Sequence, residues 1–220
     1  MPATITPADI DLIVFDLDGT LADSLPDLAN AANHACRRLG LPEHPPEAIK
    51  DMIGGGERKF AQRFLGTQDP ELLEKGLNIY LDYYRRHCGD LTRLYPGVKE
   101  TLPRLRSKKL AVLSNKRQNL TELVLEVLGI RGFFAAVRGG GDLPLKPDPT
   151  ALLAVIKELG QNPSCTLMVG DKTADIQSAR GAGARVVAVT YGYGDPEALA
   201  AAGPDALVNR FSQLPELLDL

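Results

Sequence analysis

The sequence predicts an α/β fold: a doubly wound, Rossmann-like parallel sheet with an inserted, small all-helical domain. Three observations support this prediction. Short unbroken apolar runs recur along the chain, as strands that are buried on both faces require. Helical patterns alternate with these runs, which is typical of parallel sheets covered by helices. One long segment interrupts the alternation, because its pattern predicts helices only.

The apolar runs predict four strands, at residues 12–15, 110–113, 166–169 and 186–189. Between them, apolar residues at spacings of three and four predict helices. One such pattern spans 120–128 and stops at Gly129, and another spans 151–159 and stops at Gly160. Glycine directly after the last periodic residue is a common helix end.

The helix-only segment divides the chain into two predicted domains, a catalytic core of residues 1–21 and 93–220 and a helical domain of residues 22–92. Ser24 and Asp27 are spaced to cap a helix that ends at Gly40, and 72–84 has the pattern of a longer amphipathic helix. An insertion after the first strand lies over the carboxyl ends of the strands, where ligands bind in open α/β sheets. We therefore expect the helical domain to act as a lid.

Composition excludes several classes of function. Lys and Arg number 25 against 28 Asp and Glu, a formal net charge of -3, and the basic residues form no stripe that would bind nucleic acid. The three cysteines are scattered, which favours free thiols in a reducing compartment. No apolar stretch approaches the roughly 18 residues of a membrane span, and residues 1–11 lack a positively charged leader. The expectation is a cytoplasmic protein without nucleic-acid or membrane partners.

Asp16 and Asp18 follow directly on the first predicted strand. Residues two apart on an extended segment point to the same side, so both carboxylates should project together. A surface turn fits poorly, because two acids beside a buried strand repel each other unless a cation or a proton intervenes. A calcium loop fits poorly as well, because its required glycine would be Leu21 and its glutamate would be Asp27.

Further polar residues follow the other predicted strands. Ser114 and Asn115 close the second run, Asp171 and Asp175 follow the third, and Lys146 precedes the helix at 151–159. Each has a structural alternative when taken alone, such as a helix cap or a solvated lysine. Together they predict a hydroxyl, a cation and more carboxylates at one edge of one sheet, facing Asp16.

The order of these residues resembles the four motifs of the haloacid dehalogenase superfamily, and the resemblance spans nearly the whole chain. The motifs read Asp16-x-Asp18-Gly19-Thr20, Ser114, Lys146 and Gly170-Asp171-x-x-x-Asp175. The helical insert is similar to the small cap of one branch. The second aspartate separates phosphotransferases from true dehalogenases, which lack that acid and need no metal.

The resemblance implies a magnesium-dependent phosphatase. Asp16 is expected to attack phosphorus and form an aspartyl-phosphate, and Asp18 to act as acid and then as base. Mg²⁺ is expected on Asp16, on the backbone carbonyl of Asp18 and on Asp171, with Asp175 orienting a water or Lys146 unless it binds the metal itself. The residues expected to hold phosphate are Thr20, Ser114, Asn115 and Lys146.

Several segments resemble the phosphoglycolate phosphatase branch of the superfamily, including 139–149, 170–183 and 191–194. In the helical domain, the loop Gly54-Gly55-Gly56-Glu57-Arg58 is similar to the substrate-facing loop of that branch. Arg58 could bind a carboxylate bidentately, or it could be an ordinary cation on the helix surface. Lys172 departs from the family pattern, which more often has a small hydroxyl residue there. An extra cation there could alter metal affinity or help to hold phosphate, and a side chain that points into solvent is the favoured interpretation.

The expected partner is a small phosphate ester, with the chain acting as a monomer or weak homodimer. Phosphoglycolate leads as the substrate. Nucleoside monophosphates, pyrophosphate and hexose phosphates, including a mutase of the β-phosphoglucomutase type, stay open as alternatives. A non-catalytic phosphate-binding regulatory protein is a more distant one, since none of the expected catalytic side chains is missing.

Overall fold

The computed structural model describes residues 10–220. The strands of this part of the chain are β1 Leu12–Phe15, β2 Ala22–Asp23, β3 Arg93–Leu94, β4 Lys109–Arg117, β5 Ala136–Gly140, β6 Thr166–Gly170, β7 Arg185–Val189 and β8 Ala206–Val208. The α-helices are α1 Leu25–Arg38, α2 Pro46–Met52, α3 Gly56–Leu65, α4 Pro70–His87, α5 Val98–Thr101, α6 Gln118–Val127, α7 Thr150–Glu158, α8 Thr173–Ala182, α9 Pro196–Ala201 and α10 Leu214–Leu217.

Six strands form one parallel sheet in the order β5-β4-β1-β6-β7-β8. β1 lies inside the sheet, with Phe15 opposite Val112 on one side and Val169 on the other. Its side chains alternate between two cores, because Ile13 and Phe15 pack on one face and the other two residues of β1 on the opposite face. The predicted doubly wound α/β fold is confirmed.

The sequence pattern did not predict two strands of the sheet. β5 ends in two glycines and most of its residues are only partly buried, so it carries no apolar run. β8 has three residues and lies at the sheet edge. Edge strands are short and half-solvated, which removes the signal that predicted the inner strands.

Helices α1 to α4, residues Leu25–His87, form a helical block beside the sheet. An aromatic cluster fills its interior, with the ring of Tyr80 lying 5.6 Å from that of Phe60 and 5.7 Å from that of Phe64. The chain enters and leaves the block through the antiparallel pair β2 and β3. In the described part of the chain no helix combines the length and apolarity that crossing a membrane requires.

The predicted capping of α1 is wrong. Ser24 precedes the helix but makes no capping bond, because its hydroxyl donates to Asp18 instead. Asp27 is buried, and its carboxylate accepts bonds from the backbone of Leu91 and from the backbone and hydroxyl of Thr92, where the chain leaves the block. Asp27 therefore ties the first helix of the block to the segment that returns to the sheet.

We expect Asp27→Ala to destabilise the protein by roughly 2–3 kcal/mol, since it leaves buried donors without a charged acceptor. Chemical denaturation of the purified variant measures this loss. The control is Asp82→Ala, which removes only an exposed ion pair to Arg85 and should change stability by less than about 0.5 kcal/mol. Equal stability of the two variants would contradict the assigned role of Asp27.

Candidate active site

A cavity of about 100 Å³ lies between the carboxyl ends of the strands and the helical block. The sheet side contributes polar groups, and the helical block contributes apolar side chains and a loop. The lining residues on the sheet side are Asp16, Asp18, Ser114, Asn115, Lys116, Lys146, Lys172, Ala174 and Asp175, and those on the block are Leu28, Ile53, Gly54, Gly55, Gly56, Glu57, Phe60 and Tyr80. The sheet edge and the insert therefore meet over the predicted catalytic residues.

Lys146 joins two carboxylates at the centre of the site. Its Nζ lies 2.9 Å from Asp16 Oδ1 and 2.7 Å from Asp175 Oδ1, and it donates to the carbonyl oxygen of Leu113 at 2.8 Å. An ammonium group has three N–H donors, so all of them are used. Burial alone would lower the pKa of Lys146, but the two carboxylates raise it above its ordinary range, and the side chain carries a fixed positive charge.

Asn115 holds the loop that carries Lys146. Its amide nitrogen donates to the carbonyl oxygen of Lys146 at 2.9 Å, and its amide oxygen accepts from the Lys146 backbone N–H at 2.8 Å. The side-chain amide of Asn115 is therefore engaged with protein backbone, while the residue still lines the cavity and its predicted contact with phosphate stays a prediction. Ser114 lies on the cavity wall, where its hydroxyl accepts a bond from the backbone N–H of Lys116 and keeps its own proton for donation.

Asp171 is fully buried, and the segment around it is closely packed. Its Oδ2 accepts from the backbone N–H of Tyr193 at 2.8 Å, and its Oδ1 accepts from the Thr20 hydroxyl at 3.2 Å. A Cβ at Gly19, which has a φ of +88°, would lie 2.2 Å from Asp171 Oδ2, and one at Gly192 would lie 2.4 Å from the Asp171 Cβ. Glycine is thus required at both positions. The Thr20 hydroxyl orients Asp171, and the predicted contact of the Thr20 backbone with phosphate stays a prediction.

Carboxylate oxygens of Asp16, Asp171 and Asp175 lie within 4.8 Å of one another. Burial and the neighbouring carboxylates raise the pKa of Asp171 to about 8, while the pKa of Asp16 rises to about 6 because burial outweighs the attraction of Lys146. Three buried acids with one lysine between them are short of positive charge. Hard carboxylate oxygens are the ligands that Mg²⁺ prefers, so these residues fit the expected metal. The predicted contribution of the Asp18 backbone carbonyl stays a prediction.

Asp18 faces the same cavity but has its own partners. Its Oδ1 accepts from the Lys116 ammonium at 2.8 Å and from the Ser24 hydroxyl at 2.5 Å. Lys116 also donates to the hydroxyl of Tyr84 on α4 at 2.8 Å. Burial alone would lower the pKa of Lys116, but the charge of Asp18 raises it. The two catalytic carboxylates predicted from sequence are therefore each paired with a buried lysine.

Sequence reasoning missed Lys116 and Tyr193. Lys116 follows Ser114 by two positions on β4, so strand alternation could have placed both on one side. Tyr193 lies in a segment whose family resemblance was noted without a role for the residue. Its hydroxyl contacts the backbone N–H groups of Ser24 and Leu25 at 2.7 and 2.9 Å and Asp23 at 3.0 Å, which fixes the start of α1 over the site.

Lys172 does not point into solvent as predicted. Its Nζ donates to the carbonyl oxygen of Ile53 at 2.9 Å, and its backbone N–H donates to Asp175 at 3.0 Å. A second link runs from Glu57 on α3 to the backbone N–H of Arg117 at 2.7 Å. These contacts hold the loop before α3 against the strand ends, so the helical block is closed over the cavity.

Arg58 is placed outside the site. Its side chain is 57% exposed and pairs with Glu74 at 3.3 Å on the outer surface of the helical block. It is absent from the cavity lining, unlike its neighbour Glu57. The prediction that Arg58 faces the substrate is wrong for this structure. Successive side chains at the start of a helix point in directions about 100° apart. The resemblance of the loop did not specify in which of these directions Arg58 points.

Comparison with known proteins agrees with the motif order. The family model of haloacid dehalogenase-like hydrolases matches residues 13–189. A phosphoglycolate phosphatase from Chromobacterium violaceum is 40% identical over 217 residues, covering 95% of this chain and 96% of that protein. The phosphoglycolate phosphatase of Vibrio parahaemolyticus is 38% identical, covering 97% of this chain and 98% of that protein.

A solved structure of a predicted phosphoglycolate phosphatase from Haemophilus somnus 129PT superposes with a TM-score of 0.91 at 33% identity, covering 95% of this chain and 98% of that one. The chain belongs to the haloacid dehalogenase-like hydrolase family. Within this family it is a phosphatase, an enzyme that hydrolyses phosphoric monoesters.

We expect Mg²⁺ at a hundredfold excess over its Kd to raise the Tm of the metal-free protein by about 5–10 °C, because it binds the folded site alone. Asp171→Asn should lose most of this rise, whereas Asp82→Asn, whose side chain is exposed and does not line the cavity, should keep it. Scanning fluorimetry with and without Mg²⁺ measures both. A rise of equal size in Asp171→Asn would contradict the metal assignment.

The same measurement has an expected pH dependence. The folded-state pKa values of Asp16 and Asp171 lie above their ordinary values, at about 6 and about 8. Their contribution to stability is therefore full at acid pH and is lost as pH rises through those values. Since metal binding needs deprotonated ligands, the Mg²⁺-induced rise in Tm should grow between about pH 5 and about pH 8.

Proposed function

We propose that the protein is a magnesium-dependent phosphoglycolate phosphatase that forms an aspartyl-phosphate on Asp16. The observation that carries this proposal is the pair of carboxylates, Asp16 and Asp18, that share one small cavity while each contacts a different buried lysine. Two carboxylates with different partners can take different roles, one as nucleophile and the other as acid and base.

The first step is attack of Asp16 on phosphorus. A carboxylate nucleophile divides hydrolysis into two easier steps, because the ester bond breaks before water is used. Lys146, 2.9 Å from Asp16, offsets the repulsion between the carboxylate and the anionic phosphate. The Ser114 hydroxyl on the same wall is free to donate to a phosphate oxygen.

Asp18 handles the protons. In the first step it protonates the oxygen of the departing alcohol as the phosphoryl group moves to Asp16. In the second step it takes a proton from the water that attacks the aspartyl-phosphate, which releases phosphate and restores Asp16. Ser24 and Lys116 fix the orientation of its carboxylate, since both bind Oδ1 and leave Oδ2 for this work.

Mg²⁺ bound by Asp16, Asp171 and Asp175 would supply positive charge that offsets the negative charge of the phosphoryl group and of the three acids. Thr20 and Tyr193 hold Asp171 for this purpose, and Lys172 holds Asp175 through its backbone N–H. Residues that orient metal ligands in this way tune metal affinity.

Two observations support phosphoglycolate as the substrate. Relatives that match nearly end to end at 38–40% identity are named phosphoglycolate phosphatases. The cavity, about 100 Å³, is also small beside the roughly 300–1,000 Å³ pockets that hold drug-sized ligands. A two-carbon ester suits such a cavity better than a nucleotide or a hexose phosphate does.

The deciding experiment is phosphate release by the purified protein from a panel of esters, with and without Mg²⁺. The panel contains 2-phosphoglycolate, nucleoside monophosphates, pyrophosphate and hexose phosphates. The expected result is Mg²⁺-dependent release with a clear preference for phosphoglycolate. Preference for another ester would retain the mechanism and overturn the substrate, and release from no ester would overturn both.

We expect Asp16→Asn to lower kcat by at least about a thousandfold with its fold intact, since it removes the nucleophile. Phosphate release and circular dichroism measure the two properties. Acid-quenched wild-type enzyme should carry a phosphoryl group on the peptide that contains Asp16, as detected by mass spectrometry, and Asp16→Asn should carry none. Turnover within tenfold of wild type would contradict the nucleophile assignment.

Arg58→Ala should change kcat/KM for phosphoglycolate by less than about twofold, because Arg58 forms only an exposed ion pair with Glu74. Steady-state kinetics of Arg58→Ala beside Glu74→Ala test this expectation. A tenfold rise in KM for Arg58→Ala alone would restore the substrate contact that the sequence predicted.

A further inference from the structure

The cavity has three lysines that could meet the organic part of a substrate, namely Lys116, Lys146 and Lys172. Lys146 is excluded because its three donors already serve Asp16, Asp175 and the Leu113 carbonyl oxygen. A positive charge that recognises a carboxylate on the leaving alcohol therefore comes from Lys116 or Lys172.

Lys116 is 6% exposed and is held from two directions. It donates to Asp18 on the sheet side and to the Tyr84 hydroxyl on α4, each at 2.8 Å. Within residues 10–220 these are the two hydrogen bonds of its Nζ, which also lies 4.6 Å from the centroid of the Tyr84 ring. One N–H donor of a buried, cavity-lining cation is therefore available to a ligand.

The position of Lys116 matches the leaving group. Asp18 donates its proton to the ester oxygen, so this oxygen lies at hydrogen-bond distance from Asp18, about 2.8 Å. Lys116 contacts the same carboxylate. In phosphoglycolate the carboxylate carbon is two covalent bonds of about 1.5 Å each from the ester oxygen. A carboxylate so placed can come within reach of the cavity-lining ammonium that contacts the same aspartate.

Most of the remaining wall of this part of the cavity is apolar, since Leu28, Phe60 and Tyr80 of the helical block line it. Glu57 also lines the cavity, where its Oε1 accepts from the backbone N–H of Arg117 at 2.7 Å. A carboxylate that loses water against such a surface is costly unless a cation pairs with it. The same wall accommodates an uncharged group, so charge pairing decides between an acidic leaving alcohol and a neutral one.

Lys172 is less suited to this task. It is only partly buried, it uses a donor on the Ile53 carbonyl oxygen, and its backbone N–H binds Asp175. It thus lies next to the carboxylates on the Asp16 side of the site, whereas Lys116 contacts Asp18 directly.

We propose that Lys116 is a specificity-determining residue that binds the carboxylate of the leaving alcohol, which makes the enzyme selective for phosphate esters with a carboxylate beside the ester oxygen. The proposal rests on the proposed function and extends it to a residue outside the four motifs. Lys116 has a second role as a positioning residue for Asp18, and the test separates the two.

The test compares kcat/KM for 2-phosphoglycolate with that for 2-phosphoglycolamide, in which a neutral amide of similar size replaces the carboxylate. Wild-type enzyme should prefer the acid by roughly a hundredfold, as expected for one buried charge pair. Lys116→Met should bring the ratio of the two values close to one. A residue that only positions Asp18 would lower both values equally and leave the ratio unchanged, which would overturn the proposal.

Lys172→Met is the matched control, since it removes a second cavity lysine. It should retain the hundredfold ratio, and loss of the ratio in Lys172→Met but not in Lys116→Met would transfer the role to Lys172. If Lys116→Met is inactive on both esters, the double variant Lys116→Arg/Lys172→Met decides, because it keeps the charge at position 116 and removes the rival lysine. A preference of tenfold or more in the double variant supports the proposal, and equal rates on the two esters overturn it.

The result also separates this inference from the proposed substrate. A wild-type preference for another carboxylated ester, such as phospholactate or 3-phosphoglycerate, would overturn phosphoglycolate as the substrate, and the ratio for that ester and its amide would then test Lys116. Preference for phosphoglycolate with an unchanged ratio in Lys116→Met would retain the substrate and overturn the role of Lys116. Equal kcat/KM values of the wild-type enzyme for the carboxylated ester and its neutral amide would overturn both the substrate and the role of Lys116.

Discussion

The charge of Lys146 is the interaction on which the rest of the site depends. Asp16, Asp171 and Asp175 are brought together at the ends of β1 and β6, and among them the protein supplies one ammonium group. The carbonyl oxygen of Leu113 at the end of the apolar part of β4 and the amide of Asn115 fix that group in place. Through these contacts, the packing of the sheet fixes the position of the positive charge relative to the three carboxylates.

A second lysine gives the site its asymmetry. Lys146 faces the nucleophile, and Lys116 faces the acid, so the two carboxylates of the first motif have separate surroundings although only Leu17 lies between them. Lys116 also contacts Tyr84 of the helical block. The orientation of Asp18 is thereby coupled to the closed position of the block, whereas Asp16 is held by Lys146, which lies outside the block.

The order of motifs along the chain was enough to predict the sheet and the position of the site, because parallel strands bring their carboxyl ends to one edge. The roles of individual side chains were harder to predict. The side chains of Thr20 and Asn115 bind Asp171 and the Lys146 backbone, contacts that were not predicted, because sequence order contains no information on which neighbour a hydroxyl or amide contacts.

The errors at Arg58 and Lys172 have a similar physical cause. Both belong to segments whose direction depends on how the helical block packs on the sheet, which is a tertiary property. Lys172 reaches the Ile53 carbonyl oxygen 119 positions away in sequence, and Arg58 turns outward to Glu74. Local pattern predicts that such residues are polar and near a turn, but not whether they face the cavity or the solvent.

The way the helical block is attached has a consequence for the variety of this fold. The chain leaves the sheet through β2 and returns through β3, and these two strands pair directly, with Ala22 opposite Leu94 and Asp23 opposite Arg93. The two attachment points are therefore neighbours. At this junction an insert of any size takes the place of a short hairpin loop. An insert of another length or shape could replace it at the same junction without altering the register of the six-stranded sheet. New substrate preferences can thus arise by exchange of one contiguous segment while the phosphoryl-transfer residues stay in place.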